Sequence, residues 1–125
     1  MNEQLSVVCL CAQWCGVCRE YAAVFEQAAA AFGGSATFMQ IDIEDDAELL
    51  DTVEIENFPT LLILRGTQPL FFGTVTPHAA TLARLVQSAL VGELSTQGAA
   101  TEVQALAQRV AARVSAPMQM PESSR

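Results

Sequence analysis

The chain has 125 residues, enough for one domain with a short appendage; 51% are hydrophobic and 16% charged, which argues against wholesale disorder. The 14 acidic and 6 basic residues give a net charge of -8, which disfavours nucleic acid and anionic membrane surfaces as partners, since both reward clustered Lys and Arg. No stretch approaches the roughly 20 unbroken apolar residues of a membrane-crossing helix, and Met1-Asn2-Glu3-Gln4 carries an acid where an export signal is basic, so the expected setting is cytoplasmic.

Leu5 to Leu10 is a nearly continuous apolar run, as expected of a strand buried on both faces. From about Cys15 the pattern turns helical, with Val17, Tyr21, Val24, Phe25, Ala28 and Phe32 at three- and four-residue spacing, until Gly33-Gly34 stops it. Ala36 to Ile43 reads as a second strand. The acids Asp42, Glu44, Asp45, Asp46, Glu48, Asp51, Glu54 and Glu56 follow, read as a solvated face with a short helix over Asp45 to Val53. Pro59 precedes a third strand, Thr60 to Arg65. Gly66-Thr67-Gln68-Pro69 is a turn, and Leu70 to Val75 a fourth strand, paired with the third as a hairpin. Pro77 starts a helix to about Val91, with His78 in its first turn at the surface.

The order β-α-β-α-β-β-α predicts an α/β fold with a mixed four-stranded sheet, in which strands joined through helices are parallel. Residues 1–91 are expected to form this domain and 92–100 a linker. An amphipathic helix is expected over 101–116, with a capping box at Thr101 and Gln104, and a frayed tail over 117–125.

All four cysteines lie between Cys9 and Cys18. A secreted disulfide scaffold spreads its cysteines along the chain, so this clustering points to redox chemistry or metal. Cys15-Gly16-Val17-Cys18 sits where a buried strand meets a helix, whose positive end and unpaired N–H groups favour negative charge on the first cysteine. Cys15 is therefore the expected nucleophile and Cys18, less exposed in the first turn, the resolving thiol. Cys9 and Cys11 alternate onto one strand face and read as small buried hydrophobes; the alternatives are a third redox partner, with Cys9 near Cys18, or a four-thiolate metal site.

Trp14-Cys15-Gly16-Val17-Cys18, followed by Phe58-Pro59-Thr60 before the third strand, resembles the thioredoxin family over roughly Leu5 to Val91. The resemblance implies the three-layer thioredoxin-like fold, a redox-active CxxC disulfide, a role in cell redox homeostasis and no cofactor or metal. It implies that Trp14, Gly16 and Val17 support the active site. It further implies that Pro59 is cis beside the CxxC and that Phe58, Pro59, Thr60 and Gly73 line the groove for an extended substrate peptide. Partners implied are protein thiols and disulfides, with a thioredoxin reductase or another dithiol as electron donor.

Four departures from the family pattern shape the expectation. Val17 replaces a Pro; Cys9 stands where the family has a buried Asp, and Gln40 where it has the Lys that pairs with that Asp. Losing both charges together is coherent, because a buried ion is costly unless paired. The family's first strand and helix have no counterpart ahead of Leu5, which leaves the second strand at the sheet edge. That edge, or the face left by the missing helix, is expected to be covered by the 101–115 helix or by a second protomer, giving a homodimer. The rival to an oxidoreductase is a non-catalytic thioredoxin-like interaction module, with a peptide bound beside Pro59.

Overall fold

Two nearly uninterrupted apolar runs, β1 (Leu5–Cys11) and β3 (Thr60–Arg65), pair at the centre of a four-stranded sheet. Both are buried on both faces, as strands sandwiched between helices must be. Period-two alternation sends Val8, Leu10, Leu62 and Leu64 to one face, and Leu5, Val7, Cys9, Leu61 and Ile63 to the other. The flanking strands are β2 (Thr37–Asp42) and β4 (Gln68–Thr74), in the sheet order β2-β1-β3-β4. The helices are α1 (Gly16–Ala31), α2 (Ala47–Leu50), α3 (Ala79–Leu90) and α4 (Thr101–Ser115). This computed structural model describes residues 5–12, 14–51, 53–94 and 100–115; the expected tail over 117–125 and most of the expected linker fall outside them.

Strand direction follows the expectation at one junction and departs from it at another. β1 and β2, joined through α1, are parallel, and β3 and β4 form the antiparallel hairpin, with Gly66 at φ 63° in its turn. β3, however, runs antiparallel to β1 and so to β2, although a helix separates β2 from β3. The reason is length. A six-residue strand spans about 20 Å, whereas α2 has four residues and rises about 6 Å. The chain therefore re-enters the sheet at the end where it left: Ile41 and Thr60 both sit opposite Leu10. α2 is shorter than the acidic run predicts because Asp51, at φ 53°, leaves the helical region.

α1 and α3 cover one face, where Tyr21, Phe25, Leu82, Val86 and Ala89 pack on Val7, Cys9, Leu61 and Ile63. At the end of α1 the chain turns through Gly34, at φ 91°, as the Gly33-Gly34 stop predicts. α3 begins two residues after Pro77, with the exposed His78 as its N-cap residue. The opposite face is covered by α2 and α4: Val103, Leu106, Ala107 and Val110 join Val8, Leu10, Leu62, Leu64, Leu49 and Leu50 in one core. Two arginines fasten α4 to α2. Arg109 donates through Nε to the Leu49 carbonyl at 2.6 Å and through a terminal nitrogen to that of Leu50 at 3.2 Å, satisfying acceptors at the negative end of α2. Arg113 pairs with Asp46 at 3.1 Å.

The 101–115 helix thus closes the face the sequence left open. Among the described residues, β2 is hydrogen-bonded in the sheet to β1 alone and forms one edge.

Candidate active site

Cys11 is the last residue of β1, and the backbone turns immediately: the Cys15 N–H donates to the Ala12 carbonyl at 3.1 Å. α1 starts at Gly16, so Cys15 is its N-cap residue in extended conformation, and the Cys15 carbonyl accepts from the Arg19 N–H at 3.1 Å as the helix begins. Cys15 carries a free, half-buried thiol beside the first-turn N–H groups of α1. Gly16 and Val17 follow in that turn, and Val17 is exposed.

Cys18 points inward and is buried. Its sulfur is bonded to Cys11 rather than to Cys15, and the two Cα atoms lie 5.8 Å apart, within the usual disulfide range. The same sulfur accepts from the Ala12 N–H at 3.4 Å. The expectation that Cys11 is an inert hydrophobe is thereby corrected. Cys11 and Cys9 do share a face, but the strand ends beneath the first turn of α1, which puts position 11, not position 9, against Cys18. The sequence did hold a usable clue: the last inward position of a strand lies under the helix that follows it.

Cys9 is a free, buried thiol, and burial pushes its pKa up from 9.0 to about 12. Gln40 is its direct neighbour across the β1–β2 ladder, so the two positions where the family pattern has an ion pair are adjacent and uncharged here. Burial, with Cys9 nearby as the smaller cause, also raises the pKa of Tyr21, whose hydroxyl has no hydrogen-bond partner among the described residues. Among those residues no group of His, Cys, Asp or Glu is arranged to hold a metal ion.

A cleft of about 230 Å³ opens beside the disulfide, lined by Cys11, Cys18, Arg19, Gln40 and Asp42 among others. The acidic run is a solvated face over most of its length, with Glu44, Asp45, Glu48, Asp51, Glu54 and Glu56 exposed, and two of its members also shape the site. Asp42 accepts from the N–H groups of Glu44 and Asp45, at 2.8 and 3.1 Å, which turns the chain after β2. Glu44 in turn accepts from the indole N–H of Trp14 at 2.7 Å.

Trp14 is 61% exposed, and its ring meets that of Phe58 edge-on at 5.8 Å. This contact joins the cysteine turn to the Phe58-Pro59 segment, whose peptide bond is cis, as the resemblance implied. The Pro59 carbonyl accepts from the Val75 N–H at 3.0 Å, and Thr60 is buried, donating through Oγ1 to the Asn57 carbonyl at 2.7 Å. Gly73 sits opposite Leu61 on β4. It lines a second cleft, of about 180 Å³, with Asn57, Thr60 and Thr74, and that cleft shares no residue with the one beside the disulfide.

Comparison with known proteins agrees with this architecture. A thioredoxin from Staphylococcus aureus is 33% identical over 58 residues, 46% of this chain and 56% of that protein, so the chain spans about half the length of the curated relatives it matches. The germline-specific thioredoxin Deadhead of Drosophila melanogaster superposes with a TM-score of 0.62 at 23% identity, covering 69% of this chain and 81% of that one. Chloroplastic thioredoxin z gives 0.60 at 26% identity, over 72% of this chain and 81% of that one. The thioredoxin family model matches residues 1–88. With most of its length covered by that match, the chain belongs to the thioredoxin family.

Proposed function

We propose that the protein is a thiol–disulfide oxidoreductase acting on protein disulfides, with Cys15 as nucleophile and Cys18 as resolving thiol. The observation that carries this reading is the free Cys15 thiol at the N-terminus of α1, three residues before a cysteine that is itself engaged in a disulfide. In the dithiol form the Cys15 thiolate attacks one sulfur of a substrate disulfide. A Cys15–substrate bond forms, and the other substrate sulfur leaves as a thiolate that takes up a proton. Cys18 then loses its proton and attacks Cys15, which expels the first substrate sulfur and leaves the protein oxidised by two electrons. A dithiol donor, such as a thioredoxin reductase, returns those electrons.

Trp14 is the contact surface beside the nucleophile, Gly16 and Val17 set the first turn, and Phe58, Pro59, Thr60 and Gly73 line the peptide groove. The Phe58 backbone ahead of β3 offers an incoming extended peptide main-chain hydrogen bonds. The chemistry calls for no cofactor. We assign the protein to the cytoplasm on the reducing environment this cycle needs; no helix among the described residues is long and apolar enough to cross a membrane. Pairing of two chains through the β2 edge remains the association we expect. A sedimentation profile that stays monomeric at high concentration would exclude it.

One observation favours a second reading, a non-catalytic peptide-binding module: the adjacent Cys9 and Gln40 supply no charge to move a proton to or from Cys18. Insulin reduction by the full chain with a dithiol donor, run beside Cys15→Ser and Cys18→Ser, separates the two. The oxidoreductase loses turnover in both variants and accumulates mixed disulfides in Cys18→Ser. Turnover indifferent to Cys15→Ser removes the catalytic reading.

A further inference from the structure

We propose that Cys11 is a third redox thiol of this site, competing with Cys15 for Cys18, so that the oxidised protein exists as two disulfide isomers. The inference rests on the oxidoreductase reading for its role in turnover, but the isomers themselves stand on geometry. Cys18 is bonded to Cys11 across 5.8 Å between Cα atoms, while Cys15, its partner within the CxxC, is a free thiol. A free thiol one helical turn from a sulfur already held in a disulfide is a candidate to attack that sulfur by thiol–disulfide exchange.

Cys11 is also placed to take part. It is half-buried at the end of β1 and shares with Cys18 the wall of the cleft bounded by Arg19, Gln40 and Asp42. Cys9, two residues earlier on the same face, is buried in the core, with its thiol held protonated by desolvation. That contrast selects Cys11 as the third thiol.

The exchange balances without an added oxidant. The Cys15 thiolate attacks the Cys18 sulfur; the Cys15–Cys18 bond forms and the Cys11–Cys18 bond breaks. The electron pair leaves on Cys11, which takes up the proton that Cys15 gave up. Nothing is oxidised or reduced overall. Run in reverse after a catalytic turn, the same step stores the disulfide inside the domain and returns Cys15 to the surface as a thiol. In that isomer Cys18 cannot expel a group bound to Cys15, so a substrate or glutathione held there as a mixed disulfide is released only by an external thiol or after Cys11–Cys18 is reduced.

The test is differential alkylation of the full chain, equilibrated with reduced and oxidised glutathione, quenched in acid and mapped by fragmentation of the peptide that holds all four cysteines. In the oxidised wild type we expect Cys11 and Cys18 to be protected and Cys15 labelled or carrying glutathione. Cys15→Ser, at a half-exposed surface position, keeps an intramolecular disulfide, and Cys11→Ser moves protection to Cys15 and Cys18. Cys15→Ser protein that labels fully at Cys11 and Cys18 under oxidising conditions, with an unchanged circular dichroism spectrum, overturns the proposal. If Cys11 is never protected while insulin is still reduced, only this inference falls. If Cys15→Ser forms the inner disulfide while the wild-type protein does not reduce insulin, only the catalytic reading falls.

Discussion

The indole N–H of Trp14 donates to the carboxylate of Glu44 at 2.7 Å, tying an exposed ring beside the cysteine turn to the chain that leaves β2. Held this way, and edge-on to Phe58, the ring forms part of a shaped surface instead of a mobile one. Glu44→Ala removes the acceptor without opening the core. Its cost in stability is expected within about 0.5 kcal/mol, as for other surface changes. Trp14 is the sole tryptophan, so its emission reports the loss directly through a shifted maximum and lower anisotropy. If the ring contacts substrate, KM for insulin rises about threefold, roughly 0.6 kcal/mol of binding, with kcat unchanged. A change in kcat alone would place Trp14 in the chemistry and not in binding.

Cys9 gives a prediction in pH. Its folded-state pKa is raised from 9.0 to about 12 by burial, so between those values the unfolded chain ionises while the folded chain does not. The folded state then binds more protons, and stability falls as pH rises. The contribution of the neutral thiol is fully present below pH 9 and is lost as pH climbs towards 12, at a rate of about 1 kcal/mol per pH unit where the difference is largest. Tyr21 adds in the same direction, its pKa also being raised by burial. Urea midpoints measured from pH 8 upward should therefore decline, and the decline should be shallower in Cys9→Ala. An equal slope in the variant assigns the alkaline loss to Tyr21 alone.

Much of this architecture was legible because it depends on local patterns. The apolar runs of β1 and β3, the helical spacing from Val17 to Phe32 and the glycine stop each follow from chain geometry that a few neighbouring residues fix. The remaining features depend on distance in space. The antiparallel entry of β3 follows from α2 ending early at Asp51, a conformational choice that composition does not announce. The pairing of Cys18 with Cys11 depends on where the strand ends beneath the helix, a matter of one or two residues. Arg109 and Arg113 lie off the apolar stripe of Val103, Leu106 and Val110, yet both reach α2, because long side chains cross the boundary that periodicity draws.

Those arginines allow the role of α4 to be measured. If the helix were an appendage, its removal would leave the remaining fold intact. Instead, Leu106 and Val110 are fully buried against Val8, Leu10, Leu62 and Leu64, strands that also carry the cysteine turn. Leu106→Ala leaves a cavity that the sheet and α2 cannot readily collapse to fill, and should cost about 2–5 kcal/mol. Arg109→Ala strands the Leu49 and Leu50 carbonyls in part-buried surroundings and should cost about 1–3 kcal/mol, the usual penalty for a lost partner. The two sites lie on one helix, so the double variant should fall short of additivity if undocking of α4 is the shared consequence. Chemical denaturation of the three proteins, followed by circular dichroism, reads all of this. A single cooperative transition at a lowered midpoint confirms that α4 belongs to the folding unit. A wild-type midpoint with early loss of helix signal would show instead that the sheet stands without it, and that the docked face is a surface the helix visits.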